Sequence, residues 1–167
     1  MDDEQGAGIL DTERAIIQHQ GGKQLPGNVT PIGWDLNSAS PAGGEKRYNI
    51  NAQINAGQFL TVTLCWDRIL DEADGNWTVN TGDTYNDHPA GMNDLGTLPA
   101  FDLYVYKGNT LVAQSLSLGG PGGENVNHLH FPVSAAGNDY NIRVVVSGDP
   151  AVTKQYQYGL AWWGPQN

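Results

Sequence analysis

An all-β fold, a two-sheet antiparallel sandwich of jelly-roll type with one short N-terminal helix, is predicted by three observations. Four runs in the second half, Phe101–Tyr106, Val126–Phe131, Tyr140–Val146 and Tyr156–Trp163, alternate apolar and polar residues with the period of a strand. Gly, Asn and Pro cut the chain between those runs at short intervals, as in Lys107-Gly-Asn-Thr110, Ala136-Gly-Asn-Asp139 and Gly148-Asp-Pro150. No helical periodicity intervenes among them, which points to two packed sheets.

From the N-terminus, Asp11–Gln20 is the one segment with helical signals. Asp11 can cap it, Glu13 sits near the positive end of the dipole, and Gly21-Gly22 stops it. Ile9, Leu10, Ile16 and Ile17 give it an apolar side that must find a partner, in this domain or in a preceding one. Gly21–Gly33, with Pro26, Gly27, Pro31 and Gly33, has the punctuation of a linker. Residues 1–33 are therefore expected to be a helix and linker, and 34–167 a sandwich domain.

Beyond the linker, Tyr48–Ile54 alternates, Asn55-Ala-Gly57 turns, and Gln58–Trp66 alternates again, which predicts a hairpin. Cys65 is the single cysteine and reads as a small buried hydrophobe within that second strand. Residues 67–100 form a long segment without strand or helix signals, holding Asp67, Asp71, Glu72, Asp74, Asp83, Asp87 and Asp94 against Arg68 alone. Loops of this length are usually functional, and Trp77, Tyr85 and Met92 argue for packing against the body. Leu111–Ser117 then predicts a strand before the Gly119–Gly123 loop.

The 167 residues suit one principal core. Eighteen acidic side chains against eight basic ones give a net charge of −10, which repels nucleic acid and favours cations as partners. No apolar run approaches the ~18 residues of a membrane span, so a soluble chain is expected; it is also expected to be a monomer. Met1-Asp-Asp-Glu-Gln5 lacks the basic start and apolar core of a secretory signal, so either the protein is cytoplasmic or the numbering begins inside a longer chain, and the second is expected.

Several residues invite a chemical reading. His128 and His130 share one face of a strand, a spacing that can present two imidazoles to one metal. No third ligand is identifiable, and with Leu129 and Phe131 on the other face they read as a solvent-side pair. His19 and His88 have no evident partners. Trp34, Trp66, Trp77, Trp162 and Trp163 can supply a sugar-stacking platform. Trp66 ends an apolar strand and is expected in the core. Trp162 and Trp163 must face opposite ways in a regular strand, leaving Trp77 and Trp163 as the ligand-binding candidates. Ser115, Ser117 and Ser134 lack a nucleophile elbow, and nothing pairs the carboxylates, so the chain is read as non-catalytic.

The order of the pieces resembles the β-sandwich domains that follow the catalytic domain in bacterial subtilisin-like serine proteases, akin to pre-peptidase C-terminal domains. The matching residues are Leu60-Thr-Val-Thr-Leu-Cys-Trp-Asp67, Asn93-Asp-Leu95, Phe101-Asp-Leu-Tyr-Val-Tyr106 with Ser115, Glu124-Asn-Val126, Tyr140–Val146 and Tyr158-Gly-Leu-Ala-Trp162. The family's unbroken acidic segment is split here, Asn93-Asp94-Leu95 standing apart from Asp102-Leu103. Gly6-Ala-Gly-Ile-Leu-Asp-Thr-Glu-Arg-Ala15 is similar to the stretch that opens the last helix of a subtilase catalytic domain, while no Gly-Thr-Ser-Met-Ala segment is present.

The resemblance implies a secreted or cell-surface bacterial accessory module that supports an adjacent protease-like domain or engages a protein or polysaccharide substrate. A carbohydrate-binding module is the alternative. Calcium is the implied cofactor, since hard cations take several oxygen donors. Asp67, Asn93, Asp94, Asp102 and Glu124 are the candidate ligands, at strand ends of the matching segments.

Overall fold

The computed structural model describes residues 12–66, 100–117, 125–147 and 155–164. Among the described residues one helix, α1 (Thr12–Gln20), precedes nine strands: β1 (Gly27–Val29), β2 (Ile32–Ala39), β3 (Lys46–Ile50), β4 (Phe59–Trp66), β5 (Ala100–Lys107), β6 (Thr110–Ser115), β7 (Val126–Pro132), β8 (Tyr140–Ser147) and β9 (Tyr156–Trp163). They form a five-stranded sheet ordered β1-β3-β8-β5-β6 and a four-stranded sheet ordered β2-β9-β4-β7.

The pairing is nested. Strands β2 and β9, β3 and β8, β4 and β7, and β5 and β6 are antiparallel partners, as in one long hairpin rolled up on itself. The roll closes where β4 meets β9 and β5 meets β8. This is the eight-stranded jelly roll, with β1 added in parallel to the outer edge of β3.

Alternation along each strand sends one set of side chains inward. Leu60, Val62, Leu64 and Trp66 of β4 and Tyr158, Leu160 and Trp162 of β9 meet Phe101, Leu103 and Val105 of β5 and Ile142, Val144 and Val146 of β8. All are buried. Phe101 lies between Trp66 and Tyr158, with ring centroids 5.2 and 5.5 Å away. Each such side chain contributes roughly 1.5–3 kcal/mol by leaving water.

Three local expectations change. Tyr48–Ile54 and Gln58–Trp66 do not form a hairpin: β3 pairs with β1 and β8, while β4 pairs with β7 and β9 in the other sheet. Both segments bury an apolar row, and two such rows can face each other across the core instead of lying side by side. The connection is an arch, in which Ile54 pairs with Gly137 and Gly57 turns at φ 85°. Gly21–Gly33 is no bare linker, since it contributes β1 and the start of β2. Its glycines and prolines shape close approaches: a Cβ on Gly33 would stand 2.7 Å from Trp162 Cζ2. Cys65 is exposed and not buried, because β4 sends Leu64 and Trp66 inward and Cys65 to the opposite face.

Helix α1 packs along β2. Gln18 Nε2 donates to the Gly33 carbonyl, and Trp34 Nε1 donates to the His19 carbonyl at 3.4 Å. His19, expected to be partnerless, stacks on Trp34 with centroids 6.2 Å apart. Ile16 and Ile17 stay exposed. The expected cap at Asp11 lies outside the described residues. Among the described residues no helix is long and apolar enough to cross a membrane.

Candidate functional site

The outward face of the β2-β9-β4-β7 sheet is the candidate binding surface. Register places Ile32, Trp163, Thr61 and His130 in one row across the sheet. Trp34, Ala161, Thr63 and His128 form the next, then Leu36, Gly159, Cys65 and Val126. Ser38 and Gln157 extend one end and Phe59 and Pro132 the other. No Asp, Glu, Lys or Arg occupies these positions, in a chain with eighteen acidic and eight basic side chains. Leu36 is 58% exposed and Phe59 46%. Gly159 and Ala161 keep the centre low, and a shallow open depression lies beside them, lined by Leu36, Asn37, Ser38 and Gln157.

The polar groups on this face are ordered. Thr61 Oγ1 lies 2.8 Å from His130 Nδ1, and Thr63 Oγ1 lies 2.8 Å from His128 Nδ1. Phe59 stacks on His130 with centroids 4.7 Å apart and planes 11° from parallel. Partial burial, and then the neighbouring His130, hold His128 below the ordinary histidine pKa. As expected from alternation, Leu129 and Phe131 turn toward the core.

The five-stranded sheet has a different outer face. Arg47 and Arg143 sit directly opposite one another on β3 and β8, a repulsive pair of like charges. Glu45 offsets it, 2.6 Å from Arg47 Nη2 and 3.3 Å from Arg143 Nη1. The Arg143 guanidinium also covers the Tyr106 ring at 3.8 Å. This face carries charge and is suited to water.

Of the residues singled out in the sequence, Trp162 is buried and Trp163 half-buried on the uncharged face, while Trp66 lies in the core. Trp77 lies outside the described residues. So do Asp67, Asn93, Asp94 and Glu124, four of the five calcium candidates. Asp102 is described, on the outer side of β5. Its Oδ1 accepts from Ser117 N at 3.2 Å, and its Oδ2 accepts from Ser147 Oγ at 2.7 Å and Tyr104 Oη at 3.4 Å. Both oxygens thus already serve as acceptors that tie β5 to its neighbours. Among the described residues no group of three or more His, Cys, Asp or Glu gathers to hold a metal.

One polar cluster had no sequence forewarning. Asp35 is 1% exposed and points between the sheets. Tyr48 Oη donates to its Oδ2 at 2.7 Å, Asn37 Nδ2 donates to the same oxygen at 2.9 Å, and the Tyr158 hydroxyl lies 2.6 Å from that of Tyr48. Since the Tyr48 proton is committed to the carboxylate, Tyr158 donates to Tyr48. Burial, reinforced by its polar neighbours, pushes the Tyr48 pKa well above the ordinary tyrosine value, and burial raises Tyr158 to about 12. The signal available was Asp35 at an inward position of Ile32–Ala39, where its charge disguises the strand period.

No protein-family model, no curated protein and no solved structure matches this chain.

Proposed function

We propose that the chain is a non-catalytic β-sandwich accessory module of a secreted bacterial subtilase-like protein. It engages a neighbouring protease-like domain or a substrate through the outer face of the β2-β9-β4-β7 sheet. The observation that carries this reading is the lack of charge among the described residues of that face, where Leu36, Phe59 and Trp163 offer apolar surface. Exposed apolar area of this kind marks interaction sites. Helix α1, which packs against β2, also leaves Ile16 and Ile17 exposed. Of the quoted family motifs, Leu60–Trp66, Phe101–Tyr106, Tyr140–Val146 and Tyr158–Trp162 fall on β4, β5, β8 and β9, the strands that close the roll, whereas Asn93-Asp-Leu95 and Glu124 lie outside the described residues. The purified chain is expected not to hydrolyse an unfolded protein substrate. Hydrolysis abolished by a point substitution within this chain would overturn the proposal.

A second reading, a carbohydrate-binding module, is favoured by one arrangement. The Trp163 and Phe59 rings share a face with hydroxyls of Thr61 and Thr63 and the amide of Gln157, the mixture that stacks on and hydrogen-bonds to a neutral sugar. Tryptophan fluorescence titrated with a panel of neutral polysaccharides should shift saturably, and Trp163→Ala should remove the shift. Silence across the panel leaves only the protein-partner reading.

Calcium belongs to the same proposal through Asp67, Asn93, Asp94, Asp102 and Glu124. A cation bound only to the folded chain stabilises it by about 2.7 kcal/mol at a hundredfold excess over Kd. The melting temperature should rise with calcium and fall with a chelator. A melt that neither reagent moves removes calcium from the proposal.

A further inference from the structure

We propose that His128 and His130 form a two-imidazole site for a transition-metal dication on the outer face of β7, with Thr63 and Thr61 as the groups that orient the rings. This is separate from the calcium proposal and does not depend on the identity of the module's partner.

The chemistry starts from the repeated cross-strand pair. β4 and β7 are in register so that Thr63 faces His128 and Thr61 faces His130. In both pairs the threonine hydroxyl meets Nδ1 at 2.8 Å. Among the described residues these are the hydrogen bonds that the two rings make, and neither engages Nε2. A metal at Nε2 requires the ring proton on Nδ1, and a hydroxyl oxygen stands there to accept it. Ligating histidines are held in this way by an oxygen behind the ring, which fixes both tautomer and orientation.

The spacing is reachable. Residues two apart on a strand are separated by about 6.7 Å. Two nitrogens bound side by side to one ion at 2.0–2.1 Å lie about 3 Å apart. Each ring tip must therefore lean by roughly 2 Å toward the other. Phe59 stacks on His130 from the row beyond Thr61, on the side away from His128, so the open direction is the productive one. Both rings are exposed at the sheet edge, with room for water to complete the coordination. Cys65 does not join them, its Sγ being turned toward the Gly159 carbonyl at 3.6 Å. Imidazole donors suit Zn²⁺, Ni²⁺ and above all Cu²⁺, whereas calcium prefers oxygen.

Calorimetric titration of the purified chain with Cu²⁺ or Ni²⁺ alone should show saturable binding that is lost in His128→Asn and in His130→Asn. Thr61→Val and Thr63→Val should each weaken it by about 10–100-fold, the usual effect of removing a group behind a ligand. Electron paramagnetic resonance of the Cu²⁺ form should show coupling to two imidazole nitrogens. Circular dichroism checks that the exposed substitutions leave the fold intact. Absence of saturable binding, or binding that persists in the His128→Asn/His130→Asn double variant, would overturn the site.

Discussion

Trp162→Ala is expected to destabilise the chain by about 3–5 kcal/mol, while Trp163→Ala one position later should cost about 1 kcal/mol. The two residues are chemically identical and adjacent, and the pleat alone separates them. Trp162 is 1% exposed, its ring is 5.5 Å from that of Tyr48, and its Nε1 donates to the Thr30 carbonyl at 2.8 Å. Truncation leaves a cavity between the sheets, an unpaired carbonyl and an empty space over Gly33, whose missing side chain makes room for the indole. For a domain of this size the loss lowers the melting temperature by roughly 10 °C or more. Trp163 lies on the uncharged outer face, so its removal should act on polysaccharide binding, if sugar is the ligand, and only weakly on unfolding. Urea denaturation of both variants is the check. Equal losses in the two would mean that the register of β9 is not the one described.

That contrast was legible in the sequence, because alternation along Tyr156–Trp163 forces neighbours onto opposite faces. The same rule set His128 and His130 apart from Leu129 and Phe131, while Trp66 was expected inward as the end of an apolar strand. Periodicity assigns faces but not partners. Tyr48–Ile54 and Gln58–Trp66 looked like a hairpin because a short turn joins two alternating runs, and only packing decides between pairing in one sheet and facing across two. Cys65 was misplaced for a simpler reason: thiols are usually buried, and the residue-type preference was set above the parity of its own strand. β2 escaped notice because Asp35 points inward where an apolar residue is expected. The uncharged face could not be seen as a unit, since its rows draw on four strands from Ile32 to Trp163 and exist only once the register is fixed.

The same buried carboxylate gives the fold a specific weakness in alkali. In the chain of hydrogen bonds from Tyr158 to Tyr48 to Asp35, both hydroxyls are held in the core. Burial raises the folded pKa of Tyr48 far above the ordinary value near 10 and that of Tyr158 to about 12. Because the folded chain holds these protons more tightly than the unfolded one, their stabilisation is fully present below pH 10. It is lost as the pH rises from 10 toward the folded values. Each tyrosine contributes a slope of about 1.4 kcal/mol per pH unit in that window, so stability should fall by about 2.7 kcal/mol per unit above pH 10. Against a total of about 5–15 kcal/mol for a domain, that drives unfolding within a few units. Tyr48→Phe should cost about 1.5–3 kcal/mol at neutral pH, since a hydrogen bond to a buried carboxylate is lost, and should halve the alkaline slope. Phenolate absorbance gives an independent readout: of the seven tyrosines, Tyr48 and Tyr158 should ionise only as the fold is lost. Complete ionisation of all seven near pH 10 in a chain that keeps its circular dichroism would show that these hydroxyls are open to water. The Tyr158-Tyr48-Asp35 chain would then not be a buried tie between the two sheets.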